Sequence, residues 1–448
     1  MKLWEKGGHT DPLIHAFTVG RDPEFDLRLA QYDVLGSLAH ARMLSECGLL
    51  DAAAHAAVEG GLQTIHSDII AGRFAIEEGV EDVHSQVELQ LTRAVGEAGK
   101  RIHTARSRND QVLVDVKLFL RDRIREVVEQ SAGLAEELLD RSDDSAGVGM
   151  PGYTHGQAAM PSSFGQWFAA HAESIGEDLI LLYAAYRVAD RNPLGSAAGY
   201  GSAFPIDRMR TTELLGFETM HVNAIDAQLA RGKTERIAAQ AFASVAATLA
   251  RFAADVCLFA SGNFAFVRLR EEITTGSSIM PHKRNPDVFE LVRARCNRIQ
   301  AVPGDIALCM ANLPSGYHRD LQIIKETLFP SIDDLLECIQ VLRHVLEFID
   351  LRDDILADGR YAEIFSVDAI RQRMDSGLPF RDAYREVAEQ LRAGSLATPS
   401  VTASTHEGSP GNLANHRIRQ ALATETARFS FSRRDEAFAM LLRAPAED

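Results

Sequence analysis

Apolar residues recur along this chain at helical rather than alternating spacing. From Gln111 to Ala132 no Gly or Pro interrupts a run in which Val116, Leu120, Ile124 and Val127 fall three or four apart, which predicts an amphipathic helix. Lys233 to Ser261 is a second such run, rich in Ala and carrying Ile237, Ala238, Phe242, Val245, Leu249, Phe252 and Val256. As a helix it would extend roughly 40 Å at 1.5 Å per residue. Ser163 to Arg191, Asp287 to Val302 and Ser331 to Asp358 complete a set of five long segments. Strand alternation is scarce, so the predicted fold class is all-α. Several of these segments are apolar on more than one face, and such helices are buried on several sides. A monomeric bundle with small Ala-lined contacts would satisfy them. The width of the apolar faces suggests instead a larger, oligomeric bundle.

The connections between the long segments have a different character. They are His103 to Asp110, Met150 to Gln157, Asn192 to Gly201, Thr274 to Pro286 and Leu313 to Asp320. Gly, Pro and small hydroxyl residues punctuate them, and polar functional groups concentrate there, where binding and catalytic residues tend to sit. After about Gly359 the predicted helices shorten, and a loop of small residues runs from Thr402 to Asn412. This region reads as a C-terminal domain. No internal repeat or low-complexity tract is present.

Composition narrows the partners. A chain of 448 residues suggests two or three domains. With 47 basic and 63 acidic residues the net charge is −16, which disfavours nucleic acid and anionic membranes as partners. Cations nevertheless cluster at Lys100-Arg101, Arg106-Ser107-Arg108, Lys283-Arg284 and Arg319. Such clusters are either solvated surface or sites for small anions. Cys47, Cys257, Cys296, Cys309 and Cys338 are scattered and show no zinc-binding spacing. They read as free thiols of a reducing compartment. The N-terminus lacks the apolar run of a signal peptide, and no uninterrupted apolar stretch reaches membrane-spanning length. The expectation is a soluble, cytoplasmic protein.

The loop Thr274 to Pro286 carries the strongest chemical signal. Asn285-Pro286-Asp287 reads as helix cap, first-turn proline and first-turn acid. A Ser-rich loop bearing Lys283 and Arg284 thus runs into the positive end of a helix, an arrangement suited to a carboxylate and to an acidified serine. Ser277 and Ser278 are otherwise ordinary loop hydroxyls; a serine acts as base or nucleophile only where its alkoxide is stabilised. No Gly-x-Ser-x-Gly elbow surrounds them. His155 lies in a Pro-Gly loop, which suits proton transfer as well as a structural role. Arg106, Arg108 and Asn109 open the first long helix, and an Arg fork matches a carboxylate. Gln322 and Lys325 share one helix face and follow Tyr317; an amphipathic surface would look the same. Glu290 either orients a histidine or answers the helix dipole.

Together these segments resemble a known family. Gly276 to Pro286 matches the fumarase/aspartase signature Gly-Ser-Ser-x-Met-Pro-x-Lys-x-Asn-Pro. His103 to Gln111, Met150 to His155 and Tyr317…Gln322…Lys325 resemble argininosuccinate lyase, from about Trp4 to about Pro330. The resemblance implies an all-α, three-domain subunit with a long central helix bundle, divided as 1–105, 106–354 and 355–448. It implies a homotetramer whose active sites draw loops from three subunits. The implied reaction is reversible elimination of arginine from argininosuccinate, releasing fumarate through an aci-carboxylate, without metal or organic cofactor. Ser277 would be the base and His155, assisted by Glu290, the acid. Lys283 and Asn285 would stabilise the carbanion. Arg108, Asn109, Thr154, Tyr317, Gln322 and Lys325 would hold the substrate, and Asp26 would contact its arginine end.

Some positions depart from the family. Glu5-Lys6-Gly7-Gly8 follows Trp4 where Gly-Gly-Arg is usual, and Thr18 to Pro23 offers no equivalent of the usual substrate-binding serine. Ala105 replaces a common Gly, and Gly156 a common Leu. Arg231-Gly232-Lys233-Thr234 stands where an acidic turn is frequent. Pro281 to Asn285 looks like adenylosuccinate lyase, and the alternative within enzymes is that or another fumarate-releasing lyase. No further loop is plainly suited to that substrate's phosphate. A catalytically silent structural relative is the alternative outside enzymes, and the intact Ser277, His155, Lys283 and Glu290 argue against it.

Overall fold

The computed structural model describes residues 11–396 and 404–443. Trp4 to Gly8 and the first two residues of the 402–412 loop lie outside the described residues. The chain begins with α1 (Pro12–Val19), α2 (Asp22–Asp26), α3 (Ala30–Glu46), α4 (Ala52–Ile70), α5 (Val83–Val95) and α6 (Glu97–Lys100). Asp11, Asp51 and Asp82 start α1, α4 and α5 by accepting backbone amides into their carboxylates. Next comes α7 (Arg108–Asp144), a helix of 37 residues and about 55 Å. Ser107 caps it, and Asp110 reaches back to the Ser107 amide at 2.9 Å to close a capping box.

The hairpin β1 (Gly149–Thr154) and β2 (Gln157–Ser163) leads into α8 (Phe164–Ala189), where Ser163 accepts the Gln166 amide at 3.1 Å. A connection of β3 (Arg191–Asn192), α9 (Arg208–Leu214), β4 (Thr219–Met220) and α10 (Ala224–Leu229) precedes α11 (Lys233–Phe259). Then follow β5 (Val267–Leu269), α12 (Asp287–Ile299), α13 (Val302–Cys309), α14 (Ile324–Val345) and β6 (Ile349–Leu351). The chain finishes with α15 (Ser366–Asp375), α16 (Phe380–Arg392), α17 (Asn415–Thr426) and α18 (Ser432–Leu441). The strands form only two-stranded sheets among the described residues: β1 with β2 antiparallel, β3 with β4 parallel, β5 with β6 antiparallel. The fold is all-α.

The five long helices pack together. α7 lies against α8 and α14, and α11 lies against α8, α12 and α14. One continuous core joins them, with Phe119, Phe164, Phe168, Phe242 and Phe329 fully enclosed. Burying each such ring contributes about 1.5–3 kcal/mol. Arg121 and Lys117 are enclosed as well. Arg121 donates to the carbonyls of Leu215 and Gly216 and lies 3.2 Å from Asp190, which ties the connection between α8 and α11 to α7. Lys117 donates to the Val188 carbonyl and the Thr234 hydroxyl, and burial lowers its pKa to about 7. α15 and α16 share a small core of their own, Ala369, Ile370, Ala383 and Val387. α17 returns to α7 and α8, and α18 to α3 and α9.

Three boundaries differ from the sequence reading. α7 runs through Gly133, because a side chain there would meet the Arg343 guanidinium at 2.9 Å; the glycine permits close approach to α14. The segment expected over Ser331 to Asp358 is a helix from Ile324, continuing through Pro330. The buried Ile324, Leu328, Phe329 and Ile332 outweigh the hydrogen bond that the proline removes. It stops at Val345 because Ile349 to Leu351 pairs with β5 instead. α11 is, by length and composition, apolar enough to cross a membrane, although Gln240 and Arg251 interrupt its apolar run. Half of its most apolar window is buried inside the bundle, as suits an Ala-rich core helix.

Candidate active site

A charged cavity of about 270 Å³ opens where α2, α7 and α14 meet. Six residues singled out in the sequence line it: Asp26, Arg108, Asn109, Tyr317, Gln322 and Lys325. Each is placed by local structure. Asp26 ends α2, four residues after Asp22, so both carboxylates share a face. Arg108 and Asn109 are the first residues of α7, presented by the Ser107 capping box. Tyr317 stands in the preceding loop, Gln322 in a short 3₁₀ turn, and Lys325 one turn further on α14.

The cavity's charges are already engaged with one another. Lys325 is 3 % exposed and pairs with both Asp22 and Asp26. Burial works against its charge, but the two carboxylates prevail and hold its pKa above the ordinary lysine value. Asp22 is pushed up to about 6, by burial first and by neighbouring Asp26 second, although Lys325 pulls it down. Arg108 lies 3.1 Å from both Glu81 and Asp82 and donates to the Ser85 hydroxyl at 2.7 Å. Glu81 also accepts from Arg319 at 2.8 Å. Burial opposes the charge of Glu81, but Arg319 and Arg108 keep its pKa below the usual carboxylate range. Arg319 donates as well to Gln322, whose amide donates to the carbonyls of Thr18 and Val19.

Behind this layer His84 contacts Asp33 at 2.8 Å and Asp115 at 3.5 Å, all three buried. Burial disfavours the imidazolium, yet Asp33, Asp115 and Asp82 raise its pKa to about 10. Asp115 lies well above the carboxylate range, through burial and Asp33. The trio has the spacing of a metal site. With its pKa raised, His84 supplies positive charge to the two carboxylates beside it.

The signature loop lies apart from the cavity. Thr275 and Asn285 exchange two backbone hydrogen bonds, at 2.9 and 3.4 Å, which close the loop at its base. Pro286, not Asn285, occupies the cap position of α12. The Asn285 amide instead donates to the Thr275 hydroxyl and the Gly276 carbonyl, both at 3.3 Å. The Ser277 hydroxyl accepts the amides of Ile279 and Met280, at 3.4 and 3.2 Å. Two N–H donors on one hydroxyl oxygen favour its deprotonated form. Lys283 and Glu290 are exposed, and Ile279 at the loop's crest is 84 % exposed. A larger hollow of 550 Å³ lies under the loop's base, but its cations Arg268, Arg284 and Arg352 already pair with Asp350, Glu271 and Asp354.

Thr154 and His155 occupy a third place, the exposed tip of the β1–β2 hairpin. The strands are joined by His155 at φ 52° and Gly156 at φ 72°. Two consecutive positive φ angles define a type I′ turn, the form that matches strand twist. Tyr153 bonds to the Tyr361 hydroxyl at 3.3 Å and steadies the hairpin.

Within one chain, therefore, the cavity residues come together, while Thr154 with His155 and Ser277 with Lys283, Asn285 and Glu290 stand elsewhere. No hydrogen bond or ion pair joins the three groups among the described residues. The sequence reading passed over Asp22, Glu81, Asp82 and His84 as cavity residues, and named Arg231 and Arg319 without placing them there. The i, i+4 spacing of Asp22 and Asp26 was the available signal. Nothing local in the sequence marks Glu81, Asp82 or His84, which arrive from the approach to α5 and its first turn.

Comparison with known proteins agrees with this architecture. EDDS lyase in complex with formate superposes with a TM-score of 0.76, at 22% identity, over 97% of this chain and 94% of that one. A class II fumarase from Schistosoma mansoni gives 0.72 at 14% identity, over 100% and 97%. These likenesses define the fold, an all-α architecture that this chain shares with both. A family described as Lyase matches residues 5–301. The argininosuccinate lyase of Parabacteroides distasonis is 52% identical over 97% of this chain and 98% of its own. That of Sorangium cellulosum is 40% identical over 92% and 96%. The chain belongs to the argininosuccinate lyase family.

Proposed function

We propose that the protein is a carbon–nitrogen lyase that cleaves argininosuccinate to arginine and fumarate. The observation that carries this reading is the convergence of Asp26, Arg108, Asn109, Tyr317, Gln322 and Lys325 on one cavity, in a chain half identical to relatives named for that reaction. Paired cations and carboxylates in one small volume suit a substrate that carries both signs. In the proposed reaction Ser277 takes the proton from the carbon beside a succinate carboxylate. The electron pair moves into that carboxylate, giving the aci-carboxylate, which Lys283 and Asn285 stabilise. The C–N bond then breaks. His155, assisted by Glu290, delivers a proton to the departing guanidino nitrogen, and Thr154 helps hold the substrate.

This chemistry requires the three groups to meet, and the proposed assembly is a cytoplasmic homotetramer whose sites combine loops of several copies. Exposed apolar residues support an assembly: Ile279 on the loop, Ile180 and Leu181 on α8, and Leu258 on α11. The test is fumarate release, followed by ultraviolet absorbance, with argininosuccinate and separately with adenylosuccinate. Release from argininosuccinate alone is expected. Release from adenylosuccinate instead, or from neither, would overturn the assignment.

A further inference from the structure

The carboxylate pair of α2 is out of balance. Asp22 and Asp26 both reach the Lys325 ammonium, and their side chains are only 15% and 3% exposed. One ammonium between two enclosed carboxylates leaves a negative charge unanswered. A further cation that acts on Asp22, Arg231, is engaged by Glu235 and donates to the Leu321 carbonyl. Arg108 and Arg319 are bridged by Glu81. The cavity therefore holds a place for one more cation beside Asp22. An ordinary helix-dipole role does not account for this, because α2 has five residues and ends within the site.

We propose that Asp22 is a specificity-determining residue, its carboxylate binding the α-ammonium of the arginine half of the substrate. The inference rests on the proposed function and deepens it. A substrate ammonium completes an alternating array of two carboxylates and two cations, which desolvates more easily than a three-membered set. The pKa of Asp22, about 6, is raised by burial first and by Asp26 second, and a substrate ammonium beside it would lower it again. Asn109 and Tyr317 line the same cavity and remain for the neighbouring α-carboxylate. Thr18 to Pro23 thus contains a substrate contact after all, as an acid rather than a hydroxyl.

The experiment runs the reaction in both directions with the full-length enzyme. Fumarate release from argininosuccinate is measured first, and its absence would overturn the function and this inference together. Given turnover, condensation of fumarate with arginine is compared with condensation of fumarate with argininic acid, which carries a hydroxyl in place of the ammonium. A charge-assisted hydrogen bond predicts a preference for arginine of roughly 10–100-fold in kcat/KM. Asp22→Asn should erase most of that preference, through a higher KM for arginine with kcat largely kept. Asp22→Glu should restore part of it. A wild-type enzyme that uses both acceptors equally would overturn the proposal without any variant, while leaving the proposed function standing. So would a folded Asp22→Asn enzyme that keeps the full preference.

Discussion

The cavity around Lys325 and the two exposed tips that bear Ser277 and His155 are built on opposite terms. In the cavity every cation already has protein partners: Lys325 has Asp22 and Asp26, Arg108 has Glu81, Asp82 and Ser85, and Arg319 has Glu81 and Gln322. At the tips Ser277 is held, among the described residues, by amides of its own loop, and His155 stands exposed in a two-residue turn. The difference separates what binds from what reacts. Recognition groups are fixed by helix ends and by each other, so substrate exchanges one set of ion pairs for another with little rearrangement. Groups proposed for proton transfer sit on connections that the core does not need. Damage to the cavity should therefore register as lost stability or altered affinity, and damage to the tips as lost rate.

The sharpest test of that division is Ser277→Ala. Loss of the proposed base should lower kcat by roughly 10³-fold, with Tm and helical circular dichroism unchanged. A parallel fall in Tm would break the comparison. His84→Gln probes the other side. It leaves Asp33 and Asp115 enclosed without their cation and should destabilise the fold by about 3 kcal/mol, measured by urea unfolding. The pH dependence follows from the sign of the shift. The pKa of His84 rises on folding from 6.5 to about 10, so its stabilisation is complete below 6.5 and is lost as pH rises through about 10. His84→Gln should flatten that alkaline decline. Gly156→Ala is expected to act more gently. Forcing a side chain into φ 72° costs roughly 1 kcal/mol, and if it shifts His155 the loss of kcat is about fivefold. Smallest of all, Lys100→Ala removes an exposed pair with Glu97 and should change neither Tm nor kcat measurably.

The same contrast explains what the sequence disclosed. Uninterrupted apolar periodicity made all five central helices legible, because their faces are set by one core. Boundaries failed where tertiary contacts overrule local rules. Gly133 looks like a helix end but admits the Arg343 guanidinium, and Pro330 looks like a breaker but lies within a helix held by Phe329 and Ile332. In the cavity, residues with helix-end spacing such as Arg108, Gln322 and Lys325 could be found from sequence alone. Glu81 and His84 could not, since their roles exist only through partners far along the chain. The hairpin turn at His155-Gly156 was readable as a loop, but its left-handed backbone was not.

The pairing of Asp26 with Lys325 spans 299 residues. On a ribosome adding about 5–20 residues per second, the N-terminal wall of the cavity waits roughly 15–60 s for its opposite wall to be made. During that interval the acidic face of α2 has no Lys325, and α7 lacks the α14 surface that covers it. The binding site thus cannot close before Lys325 is made, and a chain released before residue 325 would carry an unmatched acidic face and an uncovered apolar one. Such a fragment would be a natural client for chaperones and proteases rather than a weakly active enzyme.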